Sequence, residues 1–117
     1  MPILAIVDDL LFRAKLEASA THLGTALTVA SAERALGVFQ QDQSWQLVIL
    51  DLNVSSRDPL TLIRAMREVA PTMPIIGYCA HVQRELPAQA MSAGCTTVLP
   101  HSALVQRLPE LLSGVVP

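Results

Sequence analysis

Five short apolar runs recur along the chain, and each is followed by a segment with helical character. The runs are ILAIV (3–7), ALTVA (26–30), QLVIL (46–50), PIIGYCA (74–80) and TTVL (96–99). Runs of this length that are rich in β-branched residues are typical of buried strands. Strands that alternate with helices predict an open parallel sheet covered on both faces, with right-handed crossovers. The sequence therefore predicts an α/β fold, a five-stranded, doubly wound sheet with five helices.

The segments between the runs carry helix signals. In the first helix, apolar or small residues return at helical spacing, and Gly24 ends the segment. The spacing places Phe12, Leu16, Ser19 and Leu23 on one face of that helix. Ser31 is the expected N-cap of the second helix, whose apolar face is predicted to carry Ala32, Leu36 and Phe39.

The later helices have clearer boundaries. Asp58 followed by Pro59 is a good helix start, because Asp accepts hydrogen bonds from free amides and Pro needs none. Leu60, Ile63, Met66 or Arg67, and Ala70 mark that helix. A fourth helix is predicted over 83–93, stopped by Gly94, and a fifth over 102–112. Pro109 should kink the fifth helix or make it restart at Leu108.

The composition narrows the functional classes. The chain has 117 residues, 51% of them hydrophobic, which fits one domain over 1–117 with an aliphatic core. A net charge of -2 with scattered basic residues disfavours nucleic-acid binding. No apolar run approaches the roughly 18 residues of a membrane span, and two early acids argue against a signal peptide. We expect a soluble, cytoplasmic protein with Cys79 and Cys95 reduced and separate.

Three carboxylates follow predicted strands. Asp8 and Asp9 come after strand one and Asp51 after strand three, so strand order 2-1-3-4-5 would bring them into one pocket. Such a cluster repels itself unless a cation or protons intervene, and Mg²⁺ prefers oxygen ligands of this kind. The backbone carbonyl of Asn53 could add a ligand. Asp51 could also attack phosphorus to form an acyl phosphate. The simpler alternative is that Asp9 caps helix one and Asp51 belongs to an ordinary loop.

The sequence resembles the receiver domains of two-component response regulators over nearly its whole length. The resemblance lies in IVDD (6–9), LVILDLN (47–53), the Asp58 helix start, PIIGYCA (74–80) and AGCTTVL (93–99). It implies a flavodoxin-like fold in which Asp51 is the phosphoacceptor. It also implies that Asp8 and Asp9 are the acidic pair that supports a weakly bound Mg²⁺.

Several positions depart from the family pattern. Cys79 stands where receivers usually have Thr or Ser, and a thiol is only a weak hydrogen-bond donor. Its alternative role is a small apolar filler. His101 replaces the usual lysine with a shorter and only partly charged group, and it could equally face solvent without a role. Ser102 follows where a cis proline is usual, so we expect a trans bond and an altered loop. Val98 replaces the aromatic residue that reports phosphorylation in many receivers, and it has no ring to swing.

These features favour an atypical receiver in two-component phosphorelay signalling that acts mainly through protein contacts, with weak or uncoupled phosphorylation of Asp51. It would not be an enzyme beyond accepting a phosphoryl group. An alternative is a working Mg²⁺-dependent phosphoacceptor in which His101 or a partner replaces the lysine. A different class, a small phosphohydrolase or flavin-binding domain, shares the architecture. The resemblance implies a histidine kinase or another signalling protein as partner, and a homodimer through the last two helices.

Overall fold

The computed structural model describes residues 2–42, 44–80 and 85–113. It contains five parallel strands in the order β2-β1-β3-β4-β5. The strands are β1 (Ile3–Ile6), β2 (Leu27–Ala30), β3 (Leu47–Asp51), β4 (Ile75–Cys79) and β5 (Thr97–Pro100). The helices are α1 (Leu10–Leu23), α2 (Ala32–Gln41), α3 (Pro59–Val69), α4 (Glu85–Ala93) and α5 (His101–Leu112). The predicted fold class and strand order are confirmed.

The sheet separates two apolar layers. One contains Val48 and Leu50 of β3 and lies under α2, α3 and α4, while the other contains Leu47 and Ile49 and lies under α1 and α5. Side chains alternate between the two faces of a strand, so both faces of β3 are buried and its sequence is continuously apolar. The same alternation places Asp51, the last residue of β3, on the α1 and α5 side.

The strand register aligns the polar strand ends. Ile6 of β1 pairs with Leu50 of β3, and Asp51 pairs with Tyr78 of β4. The residues that follow β1 therefore lie at the same sheet edge as Asp51. This edge is the topological switch point, where open α/β sheets bind their ligands.

The helix boundaries mostly agree with the sequence. Asp58 caps α3 by accepting a hydrogen bond from the Leu60 amide at 3.1 Å, as predicted. Gly24 ends α1 with a φ of 69°, a left-handed conformation that glycine adopts without steric cost. Ser31 does occupy the N-cap position of α2, but its side chain makes no capping hydrogen bond.

The apolar face of α1 is rotated relative to the prediction. Phe12, Leu16 and Ala20 are buried, whereas Leu23 is 40% exposed. The buried residues lie at i, i+4 and i+8 from Phe12, so Ser19 and Leu23 of the predicted face lie at the margin of the buried face.

The proline in α5 does not interrupt that helix. The predicted start of α4 at Gln83 lies outside the described residues. The prediction that α5 restarts at Leu108 is wrong, because the helix is one element from His101 to Leu112 with Pro109 inside it. Pro109 lies in the last turn, so its missing amide removes a single helix hydrogen bond. Ser113 donates hydrogen bonds from both its amide and its hydroxyl to the Pro109 carbonyl.

Arg67 connects three segments near the amino-terminal ends of β4 and β5, at the end of the sheet away from Asp51. Its guanidinium donates to the carbonyl of Gly94 from Nε at 3.0 Å and from Nη2 at 2.6 Å. Nη1 donates to the carbonyls of Ala70 at 3.0 Å and Met73 at 2.7 Å. Sequence spacing left Met66 or Arg67 open as the buried position, and the structure buries Met66 while Arg67 binds these carbonyls.

Other predictions about backbone and cysteines are confirmed. Cys79 and Cys95 are buried free thiols. The described part of the chain contains no cis peptide bond, so the bond before Ser102 is trans. α5 begins at His101 directly after Pro100, the last residue of β5. The altered path predicted for this connection stays a prediction. No helix among the described residues is long and apolar enough to cross a membrane.

Candidate functional site

A cleft of about 250 Å³ opens at the carboxyl ends of the central strands. It is lined by Asp9, Phe12, Asp51, Asn53, Tyr78, Cys79, Ala80 and His101. The structure therefore brings together Asp9, Asp51, Asn53, Cys79 and His101 from the predicted site. Asp8 and Val98 lie outside this lining.

Asp51 is half-buried at the end of β3, and its Oδ1 accepts a hydrogen bond from the Asn53 amide at 2.8 Å. Burial is the largest influence and raises the pKa of its carboxyl group. The Asn53 hydrogen bond and the positive charge of protonated His101 lower that pKa in part, while the charges of Asp8 and Asp9 raise it. The net pKa is raised, which means that the site disfavours the bare carboxylate and would gain from a nearby cation.

Asp9 has two roles that the sequence offered as alternatives. It is the N-cap of α1, where Oδ1 accepts from the Leu11 amide at 2.9 Å and the Phe12 amide at 3.5 Å. It also lines the cleft beside Asp51. The capping bonds hold the carboxylate at the cleft wall, so the helix cap and the acidic site use the same side chain.

Asp8 is not among the residues that line the cleft, and both of its carboxylate oxygens accept hydrogen bonds. Oδ1 accepts from the Ala32 amide at the start of α2 at 2.9 Å, and Oδ2 accepts from the Ser56 hydroxyl at 3.0 Å. Burial alone would raise the pKa of Asp8, but the hydrogen bonds from Ala32, Ser56 and Ser55 together lower it. Asp8 thus connects the end of β1, the start of α2 and the loop after β3, and it satisfies the amide of the first residue of α2.

Asn53 links two strand ends. Its amide donates to Asp51, and its side-chain Oδ1 accepts from the Ala80 amide at 3.2 Å. The loop after β3 is therefore attached to the segment that follows β4. This attachment fixes the position of the Asn53 backbone, the group that the sequence offered as a metal ligand.

The donor set is compatible with a small cation but does not define a closed metal cage. In the described residues, no three His, Cys, Asp or Glu side chains cluster closely enough to hold a metal ion. Mg²⁺ often takes only one or two protein carboxylates and completes its shell with water and phosphate. Asp9 and Asp51 meet that requirement. Burial, and to a smaller extent the charges of Asp8 and Asp9, raise the pKa of Asp51, and a cation would offset both effects. The metal roles of Asp8, Asp9, Asp51 and Asn53 stay predictions.

Two of the substituted positions have apolar surroundings. Cys79 is 3% exposed at the end of β4, and both burial and the charge of Asp51 raise the pKa of its thiol. It remains a neutral, weak donor. Val98 is partly buried and packs against the apolar layer under α2, α3 and α4. Neither side chain offers the cleft a strong polar group.

His101 is the first residue of α5, and its ring packs in an aromatic cluster that the sequence did not predict. Its ring centroid lies 4.6 Å from that of Phe12 and 5.5 Å from that of Tyr78. Phe12 and Tyr78 complete the cluster with an edge contact at 5.4 Å. His101 is exposed, but this packing positions its ring at the cleft wall, where its charge lowers the pKa of Asp51.

Tyr78 is the cleft residue that sequence reasoning missed. The alternation of side chains along β4 could have predicted its position. Ile76, two residues earlier, lies in the layer under α1 and α5, and Tyr78 lies in the same layer. The register then sets Tyr78 directly beside Asp51. The apolar appearance of the run PIIGYCA concealed a polar group at the site.

The fold and the cleft define a class of protein: a doubly wound α/β domain with an acidic site at its switch point. Residues 3–113 match the family model described as response regulator receiver domain. The chain is 26% identical over 112 residues to the sensor protein TorS of Escherichia coli strain K12, covering 94% of this chain and 12% of TorS. It is 27% identical over 94 residues to a glycerol metabolism activator of Pseudomonas putida, covering 77% of this chain and 42% of that protein.

A solved structure agrees with these matches. The receiver domain of the TMAO respiratory system response regulator TorR superposes with a TM-score of 0.80 at 26% identity, covering 97% of this chain and 98% of that domain. The chain belongs to the response regulator receiver domain family of two-component signalling. Receiver domains are signalling modules rather than enzymes of metabolism. The chain spans only 12% and 42% of the length of the two curated relatives.

Proposed function

We propose that this domain is an atypical receiver that acts mainly through protein contacts, with phosphorylation of Asp51 that is weak or uncoupled from output. The observation that carries the proposal is the polarity of the cleft wall. Beside Asp51, the wall presents a buried thiol at Cys79 and an imidazole at His101 that packs on Phe12. Asp9 and Asp51 provide the acidic groups. Position 79 has a thiol in place of the hydroxyl that receivers usually have, and position 101 has an imidazole in place of the usual ammonium.

The chemistry open to Asp51 is phosphoryl acceptance. An Asp51 oxygen attacks phosphorus, the bond from phosphorus to the donor's leaving oxygen breaks, and the leaving group departs with the electron pair of that bond. Mg²⁺, when bound, would offset negative charge on the transferred group, and Asp9 and Asp51 would hold it. The chain's own residues orient the acceptor: the Asn53 amide holds one carboxylate oxygen.

The groups at positions 79 and 101 explain why we expect the acyl phosphate to be weakly stabilised. A thiol donates a weaker hydrogen bond than a hydroxyl, and burial and Asp51 keep it from ionising by raising its pKa. Imidazole is shorter than a lysine side chain and charged only in part at neutral pH. Val98 has no ring whose rotation could transmit the modification.

The rim of the cleft supports a role in protein contacts. Leu10 and Leu11, the first two residues of α1, are 74% and 85% exposed directly after Asp9. Exposed apolar side chains that form one contiguous patch mark surfaces for protein contacts, and these two leucines are neighbours in the chain. A histidine kinase or another signalling protein that approaches Asp51 would meet them. A homodimer through α4 and α5 stays a prediction.

The test compares the native protein with Asp51→Asn after incubation with Mg²⁺ and acetyl phosphate, with intact mass as the readout. A typical receiver is treated in parallel as a positive control. We expect slow or partial gain of one phosphoryl group by the native protein and none by the variant. Rapid and complete modification, accompanied by a large change in the amide NMR spectrum, would contradict the proposal of weak or uncoupled phosphorylation.

A working phosphoacceptor is the second candidate, favoured by the effect of His101 on Asp51. His101, the first residue of α5, lines the cleft together with Asp51, and its charge lowers the pKa of the Asp51 carboxyl group. If His101 replaces the usual lysine, His101→Ala should slow phosphorylation and His101→Lys should restore or exceed the native rate. Equal rates for all three proteins would exclude this role.

A further inference from the structure

Tyr78 lies beside the acceptor residue and has no assigned role in the resemblance or in the proposed function. It pairs with Asp51 in the parallel register of β3 and β4, and adjacent paired residues on one sheet face are close neighbours. Its side chain is 3% exposed, yet it forms part of the cleft wall together with Asp9 and Asp51. Phe12 and His101 pack against its ring and hold it in place.

The hydroxyl of Tyr78 is buried without a hydrogen-bond partner among the described residues. Buried hydroxyl groups are normally paired, because an unpaired one loses its bonds to water and gains nothing in return. Unpaired polar groups in a cleft are therefore candidates for contact with a bound group that the protein receives from outside.

The surroundings make this hydroxyl a donor. Burial is the main cause that raises the pKa of Tyr78, and the charges of Asp51 and Asp9 raise it further. A phenol keeps its proton at neutral pH even at its ordinary pKa of about 10, and the register and pleat place Tyr78 beside Asp51 on the same face of the sheet. Tyr78 is also a stronger donor than the Cys79 thiol that follows it in β4.

We propose that the Tyr78 hydroxyl donates a hydrogen bond to the anionic group received at Asp51, and so supplies part of the polar contact that Cys79 and His101 do not. The inference rests on the proposed acceptor role of Asp51 and adds a ligand-binding residue to it. Tyr78 binds the transferred group and takes no part in breaking or forming a bond to phosphorus.

Tyr78→Phe tests the proposal because it removes one oxygen atom and keeps the ring. Two effects of opposite direction are expected. Removal of an unpaired buried hydroxyl should leave the unfolding temperature unchanged or raise it by about 2 to 5 °C. Binding of beryllofluoride with Mg²⁺, which mimics a phosphoryl group on a carboxylate, should weaken about 10- to 150-fold, the effect of one hydrogen bond to a charged acceptor.

Thr21→Val is a matched control, since it deletes a side-chain hydroxyl of α1 whose bond goes to the Glu17 carbonyl, and neither residue lines the cleft. It should leave beryllofluoride binding unchanged. Equal binding by native protein and Tyr78→Phe would overturn the role of Tyr78 while Asp51 remains an acceptor. If beryllofluoride binds no better to the native protein than to Asp51→Asn, both the acceptor role and this inference are overturned.

A second measurement needs no variant at Tyr78. The chain has a single tyrosine, so a ¹³C label at tyrosine Cζ gives one NMR signal that responds to hydrogen bonding of the phenol. Addition of beryllofluoride and Mg²⁺ should shift that signal in the native protein and leave it unchanged in Asp51→Asn. A signal that does not move in the native protein at saturating beryllofluoride would overturn the proposal.

Discussion

Arg67→Ala should strongly destabilise the fold, because one guanidinium joins the end of α3, the loop before β4 and the turn before β5. Four hydrogen bonds reach three carbonyls, those of Ala70, Met73 and Gly94. A hydrogen bond that involves a charged group contributes about 1.5 to 3 kcal/mol, and the site is only partly buried, so water can reach some of the freed carbonyls. We expect a loss of about 2 to 4 kcal/mol in the free energy of unfolding.

The assay is urea unfolding followed by the fluorescence of Trp45, the single tryptophan, with far-UV circular dichroism in parallel. Trp45 is buried and donates from Nε1 to the Phe39 carbonyl at 2.9 Å, so its emission reports loss of the core. Arg67→Lys should lose about half as much as Arg67→Ala, since an ammonium cannot span three carbonyls.

Arg64→Ala is the matched control, because Arg64 is an exposed arginine of the same helix. Its replacement should change stability by less than about 0.5 kcal/mol. If Arg67→Ala were as mild as Arg64→Ala, the three-carbonyl contact would not stabilise the fold and the reasoning would be refuted.

Three further predictions concern single substitutions. Asp51→Asn should raise the unfolding temperature at pH 7, because the raised pKa of Asp51 means that its charged form destabilises the native state. The stability of the native protein should rise as the pH falls through that pKa. Calorimetry should show that the variant lacks this response. The pKa of Asp8 is lowered from its ordinary value of 3.8, so its carboxylate stabilises the fold above that pH, and this stabilisation is lost as the pH falls further and Asp8 is protonated. Asp8→Asn should therefore lose less stability on acidification than the native protein, as measured by unfolding at a series of pH values. Gly94→Ala should cost at least 1 kcal/mol in urea unfolding, because φ is 133° and a new Cβ would lie 3.1 Å from Cγ of Arg67; a neutral result would show that the turn relaxes.

The order and type of the elements were predictable because local patterns agreed with the global fold. The buried strands form continuous apolar runs, Asp58 with Pro59 marks the start of α3, and Gly24 marks the end of α1. Each signal acts over a few residues, so it can be interpreted without knowledge of distant contacts. Pro109 misled the prediction of a restart, because a proline removes one hydrogen bond to the preceding turn but does not by itself end a helix whose other residues stay buried.

The acidic site was predictable in part. The positions of Asp9 and Asp51 at the carboxyl ends of neighbouring strands follow from the strand order 2-1-3-4-5, which the resemblance implied and the structure has. The capture of Asp8 by Ala32 and Ser56 was not predictable, because it joins residues 24 and 48 positions apart. Sequence spacing carries no information on contacts over such separations unless the packing of the loops is known.

The sequence by itself determined the periodicities, the helix ends and the residues that can carry charge, because backbone preference and hydrophobic pattern are local properties. Only the tertiary structure decided how those groups meet. Strand register sets Tyr78 beside Asp51, and the position of α5 brings His101 onto Phe12. Burial, which depends on the whole packed domain, then raises the pKa of Asp51 and leaves the Tyr78 hydroxyl without a partner among the described residues.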